Sequence, residues 1–156
     1  MRFERLEPDA QMIFLSRLYT RLNSELFEAR LKGIPVCIAG SPFEPDAAGY
    51  FHKPQPTDRH KNGYIVITRG FVEDSIKPCK YQWHQVVLLA TILLHEMIHE
   101  YCYENGIDDA EHNEHWQAEA EKRYLHSPYT NGHHEADDEY LDPLFINVYL
   151  RNIRIN

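Results

Sequence analysis

The sequence contains little cysteine and carries an excess of negative charge, and each of these features excludes a class of protein. Its three cysteines, Cys37, Cys79 and Cys102, form no CxxC pair, so neither a disulfide framework nor a cysteine-based zinc ribbon is predicted. The formal net charge of -8 argues against nucleic-acid binding through the charge of the whole chain. Any contact with nucleic acid would depend on a local group of basic side chains.

Long hydrophobic runs are also absent. The first residues, "MRFERLEPDAQ", contain no apolar signal segment. The longest apolar run, "VVLLATILL" at 86–94, is much shorter than the roughly 20 residues that cross a bilayer. We therefore expect a soluble, cytoplasmic protein with no membrane partner. The length of 156 residues and the 43% hydrophobic content predict one domain over residues 1–156.

Apolar periodicity and helix-ending residues predict three helices and a small sheet. The expected helices run from Pro8 to about Leu31, from about Tyr81 to Asn105, and from about Asn113 to Leu125. Segments rich in β-branched and aromatic residues predict strands at 34–40, 47–53 and 63–72. This order of elements indicates an α+β fold. The apolar tail, "LFINVYLRNIRI", is compatible with either a strand or a helix.

The most informative stretch is "LLHEMIHEYCYENGIDDAEHNEHW", where His95, Glu96 and His99 form an H-E-x-x-H pattern in the second helix. Residues four apart on an α-helix differ by about 40° in direction and about 6 Å in height, so the two histidines can share one metal ion. Glu96 lies where its carboxylate can act as the general base. Because the helix is apolar on nearly every side, an unpaired carboxylate there would be costly without a cation.

A catalytic zinc site usually has three protein ligands and an open position for water, so a third ligand is required. The continuation typical of metzincins is excluded, because its glycine and histidine positions carry Cys102 and Asn105. The candidates beyond the helix are two histidines and two glutamates, namely His112, His115, Glu111 and Glu114. The spacing does not choose among them.

The segments "LLHEMIHEYCY" and "EHNEHWQAE" resemble the active-site region of the SprT-like zinc metalloprotease family, in which H-E-x-x-H is followed by a short loop and a His-Asn-x-x-Trp-type segment. The resemblance covers about residues 10–137. It implies a zincin-like metalloprotease domain and one zinc ion on His95, His99 and His112, with Trp116 on the apolar side of the following helix. Many relatives end in a zinc ribbon or a basic DNA-binding extension, and this chain has neither.

The resemblance also implies a function. SprT-like proteases degrade proteins crosslinked to DNA, so the implied activity is peptide hydrolysis on a protein substrate, with Glu96 as the base. Tyr129, His133 and His134 lie near the region that would stabilise the transition state. The loop "FHKPQPTDRHK" is a candidate nucleic-acid contact through its basic residues Lys53, Arg59 and Lys61. An ordinary solvated loop is the alternative interpretation.

Two other functions use the same residues. A cytosolic zinc peptidase of the ImmA/IrrE type, which cleaves a specific regulator, would have a carboxylate as its third ligand. A non-catalytic binding module would have a closed zinc site, with His115 as a fourth ligand. Among the remaining residues, Cys102 is expected to be buried, and Trp83 and Trp116 are expected to be packing residues.

Overall fold

The structure, a computed structural model, describes residues 1–41, 47–126 and 140–155. The helices of this part are α1 (Pro8–Leu26), α2 (Arg69–Phe71), α3 (Gln82–Glu104), α4 (Glu114–Lys122) and α5 (Pro143–Phe145). The strands are β1 (Val36–Ala39), β2 (Gly49–His52), β3 (Tyr64–Thr68), β4 (Leu125–His126) and β5 (Tyr140–Leu141). Helices α2 and α5 continue into π-helical turns at Val72–Ile76 and Ile146–Leu150. The predicted α+β class is confirmed.

A three-stranded sheet packs against the two long helices, α1 and α3. Its order is β1-β3-β2, with β1 parallel and β2 antiparallel to the central β3. Helix α1 contacts β1, and α3 contacts both β2 and β3. The buried residues of this core include Leu15, Leu18, Leu22, Ile65, Ile67, Leu89, Leu93 and Met97. Burial in this core explains why apolar residues recur every three or four positions in the helices and why the strands are rich in β-branched residues.

Helix α1 ends at Leu26, earlier than the predicted Leu31. Glu28 and Ala29 adopt φ values of 54° and 58°, in the left-handed region that interrupts a right-handed helix. The side-chain oxygen of Asn23 accepts a hydrogen bond from the Leu31 backbone N–H at 3.1 Å. This local closure turns the chain toward β1.

Side-chain caps explain two further differences from the sequence prediction. The strand predicted to reach residue 72 ends at Thr68, because the Thr68 hydroxyl accepts a hydrogen bond from Phe71 N–H and begins α2. The tail that fitted either element is helical as far as Leu150. There Asp142 accepts from Leu144 N–H at 2.7 Å, and Pro143 occupies the first turn.

The prediction that Trp83 is a packing residue is wrong. Its side chain is 58% exposed, on the first turn of α3, beyond the face that the sheet covers. The same prediction is confirmed for Trp116, which is 1% exposed, and Cys102 is fully buried as expected.

Helix α3, with 23 residues, is long and apolar enough to cross a membrane by length and composition. The apolar run at 86–94 is too short to predict such a helix by itself. However, 67% of its most apolar window is buried inside the protein. Such burial is typical of a core helix, whose apolar character serves packing within the fold.

A close contact at Gly49 brings the edge strand β2 against α3. A Cβ atom at this position would lie 2.8 Å from the Val66 backbone oxygen and 3.1 Å from Ile92 Cγ2. A side chain larger than hydrogen would therefore push the strand away from the helix. The same position lies 3.6 Å from Glu96 Cγ, so the sheet edge borders the histidine-bearing part of α3.

A buried carboxyl group lies on the side of α3 that meets α1. Glu100 is fully buried, and Tyr19 donates its O–H to Glu100 Oε1 at 2.8 Å. Burial, helped by a hydrogen bond with Glu104, raises the pKa of Glu100 from 4.5 to about 9. The folded protein therefore keeps this carboxyl protonated at neutral pH.

We expect Glu100→Gln to flatten the pH dependence of stability. Because the folded pKa exceeds the unfolded value, the stability due to Glu100 is full below about pH 4.5 and is lost as pH rises toward 9. The slope of this loss is at most about 1.4 kcal/mol per pH unit. Glutamine retains an acceptor for Tyr19 and a donor for Glu104, but it cannot ionise.

Urea titrations across this pH range, with chelator present, measure the free energy of unfolding of both proteins. A matched control is Glu25→Gln, which removes a partly exposed carboxylate from α1 and should leave the slope unchanged. Parallel pH profiles for the wild type and Glu100→Gln would contradict the assignment.

Candidate metal centre

Three histidine side chains meet beside the C-terminal half of α3. His95 and His99 project from one face of the helix, and His112 reaches them from a 3-10 turn at Ala110–His112. The Nε2 atoms are 3.2 Å apart for His95 and His99, and 3.0 Å apart for His99 and His112. The third side of the triangle, between His95 and His112, measures 2.9 Å.

This triangle of nitrogen atoms fits a single tetrahedral metal ion. Zinc–nitrogen bonds of about 2.0–2.1 Å at tetrahedral angles separate ligand nitrogens by about 3.3 Å, close to the observed distances. Three neutral imidazole lone pairs at such separations repel one another unless a cation or a proton lies among them. The three histidines could therefore bind a metal ion.

The loop after α3 directs His112 toward the other two histidines. Gly106 ends the helix with a φ of 66°, and Glu111 and His112 both have a φ of 53°. Left-handed backbone at a non-glycine residue costs about 1–2 kcal/mol, so packing around the loop must hold these two residues in place. The Asn113 side chain then caps α4 by accepting from the backbone of His115 and Trp116.

The other candidates for the third ligand do not join the cluster. The side chains of His115 and Glu114 are 62% and 89% exposed, on the outer face of α4. Glu111 borders the same cleft as the histidines, but it is not a member of the metal-ligating group. The structure thus brings together His95, His99 and His112.

Asp109, which was not among the residues predicted from the sequence, orients one of these imidazoles. Its Oδ2 atom lies 2.6 Å from His99 Nδ1, so the ring donates Nδ1–H to the carboxylate and directs the Nε2 lone pair at the cluster. This hydrogen bond holds the pKa of Asp109 below its usual range, although burial opposes the shift. A carboxylate in the loop between two histidine ligands was the signal that could have revealed it.

Trp116 forms the apolar wall of the cluster. Its ring centroid lies 4.7 Å from that of His95, 5.4 Å from that of His99 and 4.6 Å from that of His112. A buried indole in contact with all three imidazoles limits their rotation and excludes water from one side.

Glu96 lies next to the cluster without being part of it. Its side chain is buried, and Oε1 lies 3.8 Å from His95 Nε2. An open cleft of about 370 Å³, here called the metal cleft, is bordered by β2 and by the loop that carries Asp109, and its lining includes the three histidines and Glu96. A water molecule in this cleft can contact both the cluster and the carboxylate.

The three basic residues proposed for nucleic acid occupy different surroundings. Lys53 lies at the edge of the cleft, with Nζ 3.8 Å from Asp109 Oδ1. Lys61 donates to the Pro56 carbonyl at 3.2 Å, and Arg59 is exposed on the same loop. Lys53 therefore belongs to the metal cleft, while Arg59 and Lys61 are charges of a solvent-facing loop.

Comparisons with known proteins assign no family to the chain. No protein-family model matches it, and neither a curated protein nor a solved structure does. The resemblance to the SprT-like family therefore rests on the sequence segments alone and stays a prediction. The residues it implied for transition-state stabilisation, Tyr129, His133 and His134, lie outside the described residues.

We expect Asp109→Asn to weaken zinc binding by about 10- to 100-fold, the usual effect of losing a carboxylate that orients a ligating histidine. The amide can still contact His99, but it lacks the charge that favours the Nδ1–H tautomer. Competition with a chromophoric chelator measures the affinity. Asp108→Asn is the matched control, because the one side-chain hydrogen bond of Asp108 among the described residues comes from Ala110 N–H at 3.1 Å. Equal affinities for the two variants would contradict the role of Asp109.

Proposed function

We propose that the protein is a zinc-dependent metalloprotease with a zincin-like active site that hydrolyses peptide bonds through activated water. The observation that carries this proposal is the convergence of three Nε2 atoms within 3.2 Å beside the buried Glu96, in an open cleft. Structural zinc sites usually have four protein ligands, whereas the described part of the chain brings three to this cluster. This difference supports a catalytic rather than a structural ion.

The residues of the cleft have separate roles in the proposed reaction. His95, His99 and His112 would hold the zinc ion, with Asp109 orienting His99. When bound there, zinc supplies Lewis-acid chemistry that acidifies water and polarises a carbonyl group. Glu96 accepts a proton from the attacking water and returns it to the leaving amine. No covalent intermediate with the protein is required.

The edge strand β2 supports a polypeptide as the substrate. Gly49, Tyr50 and Phe51 of this strand border the cleft. β2 is an edge strand, and no described strand pairs with its outer edge. An extended peptide bound along this edge would lie across the cluster. Such main-chain recognition favours unfolded or flexible segments of a protein.

Proteins bound or crosslinked to DNA are the substrate class that the SprT-like resemblance implies, and they belong to this proposal. The net charge of -8 means that DNA would not be held by the charge of the whole chain. We therefore propose that selection of the substrate depends mainly on accessible polypeptide rather than on nucleic acid.

Removal and return of zinc tests the proposed activity. We expect the protein to cleave a fluorescently labelled, unfolded protein, to stop after treatment with a chelator, and to recover with one equivalent of zinc. Parallel assays with and without single-stranded DNA show whether nucleic acid contributes. Cleavage that persists without metal, or a zinc-loaded protein that cleaves no unfolded substrate in either assay, would contradict the proposal.

A further inference from the structure

A second groove lies at the other end of α3 and shares no residue with the metal cleft. It has a volume of about 660 Å³, and its lining includes Tyr81, Trp83, Val87, Ile146, Arg151 and Arg154. Trp83 precedes His95 by about 18 Å along the helix axis, at about 1.5 Å per residue. This aromatic–arginine groove can therefore be occupied while the metal cleft remains open.

Two large aromatic side chains are exposed in the groove. Tyr81 is 51% exposed and Trp83 is 58% exposed, the two highest values among the described aromatic residues. Exposed apolar rings that lie side by side mark an interaction surface. The two rings stack at 6.2 Å, Trp83 also stacks with His84 at 5.5 Å, and Lys80 lies over Tyr81. Because these contacts already use ring faces, stacking of a nucleic-acid base is disfavoured. The indole N–H and the phenol O–H remain as donors at the ring edges.

The charge of the groove is positive in a protein that is negative as a whole. Arg151 and Arg154 are both exposed, and neither forms an ion pair with a carboxylate of the described residues. Arg154 donates to the Arg151 backbone carbonyl at 2.8 Å, which holds the Arg154 guanidinium close to the turn that carries both residues. None of the described residues that line the groove is acidic. A ligand with carboxylates complements this lining.

We propose that the aromatic–arginine groove binds an acidic peptide segment of another protein that carries at least one apolar side chain. Val87 and Ile146 contact the apolar side chain, and Arg151 and Arg154 pair with the carboxylates. Tryptophan, tyrosine and arginine are the residue types that dominate the binding energy of protein interfaces. The proposal does not depend on the hydrolase activity, because it concerns a different surface.

Selection from a library of short random peptides tests this proposal. We expect the peptides that bind the wild type to be acidic and to contain an aromatic or aliphatic residue. Their affinity should fall by about tenfold or more in Trp83→Ala and in Arg151→Glu. Arg17→Glu reverses the charge of an exposed arginine on α1 and should leave the affinity unchanged. The zinc content and melting temperature of each variant are measured as controls for an intact fold.

Three results would overturn the proposal. Selected peptides without acidic residues, or with equal affinity for wild type and Arg151→Glu, would remove the charge complementarity. Binding of an oligothymidylate that is lost in Trp83→Ala would make nucleic acid the occupant. Self-association of the wild type that is lost in the same variant would make a second copy the occupant. Should Trp83→Ala unfold, Arg151→Glu alone decides, because Arg151 is a surface residue.

Discussion

Replacing Glu96 by glutamine is expected to lower the rate of peptide hydrolysis by about 100- to 10,000-fold while the protein retains its zinc. Glutamine has the size of glutamate and cannot accept the proton from the attacking water. Since Glu96 is not part of the metal-ligating group, the variant should bind the ion with unchanged affinity. The measurement is kcat/KM on one labelled, unfolded protein, with the zinc content of the same samples.

Glu111→Gln is the matched control for this experiment. Glu111 is an exposed carboxylate that borders the same cleft and lies outside the cluster. It should keep most of the activity, because no step requires its charge. An undiminished rate for Glu96→Gln would remove Glu96 from the chemistry. Loss of zinc from that variant would instead assign Glu96 to holding the ion.

Replacing His112 by alanine is expected to weaken zinc binding by more than about 100-fold, beyond the usual effect of losing a residue that only orients a ligand. Two nitrogen atoms from one helical turn remain, and the ion loses the ligand that the loop supplies. Zinc binding by the folded state alone raises thermal stability, so the zinc-dependent rise in melting temperature should also shrink. Equilibrium competition with a chelator and thermal melting measure the two effects.

His115→Ala is the control that separates the two neighbouring histidines. The His115 side chain is 62% exposed, so its removal should alter neither zinc affinity nor melting temperature. Equal losses in both variants would show that the ligand set is wrong. Stoichiometric zinc in His112→Ala would show that the third ligand lies elsewhere in the chain.

The part of the candidate site that lies on α3 could be predicted from the sequence because it depends on local periodicity. His95 and His99 lie one turn apart on a helix whose apolar residues fill the core, and Glu96 follows directly. Other local features located α1, the sheet and the start of α4, namely apolar periodicity, β-branched and aromatic content, and helix start signals. These features need no knowledge of which distant segments meet.

The other half depends on contacts and backbone states that a residue pattern does not contain. His112 could be separated from His115 only by the family resemblance, because the left-handed turn at Glu111 and His112 decides which of the two faces α3. Asp109 was missed because its role consists of one contact with His99. The exposure of Trp83 could not be predicted either, because the apolar character of a side chain does not show whether it lies in the core or on the surface.

X-ray absorption spectroscopy of the zinc-loaded protein tests the central claim most directly, because it reports the number and type of atoms around the ion. The account predicts one bound zinc per chain, with three imidazole nitrogens at about 2.0 Å and one oxygen from solvent. A fourth ligand from the protein, or purified protein that binds no stoichiometric zinc, would contradict the assignment of this cleft as a hydrolytic centre.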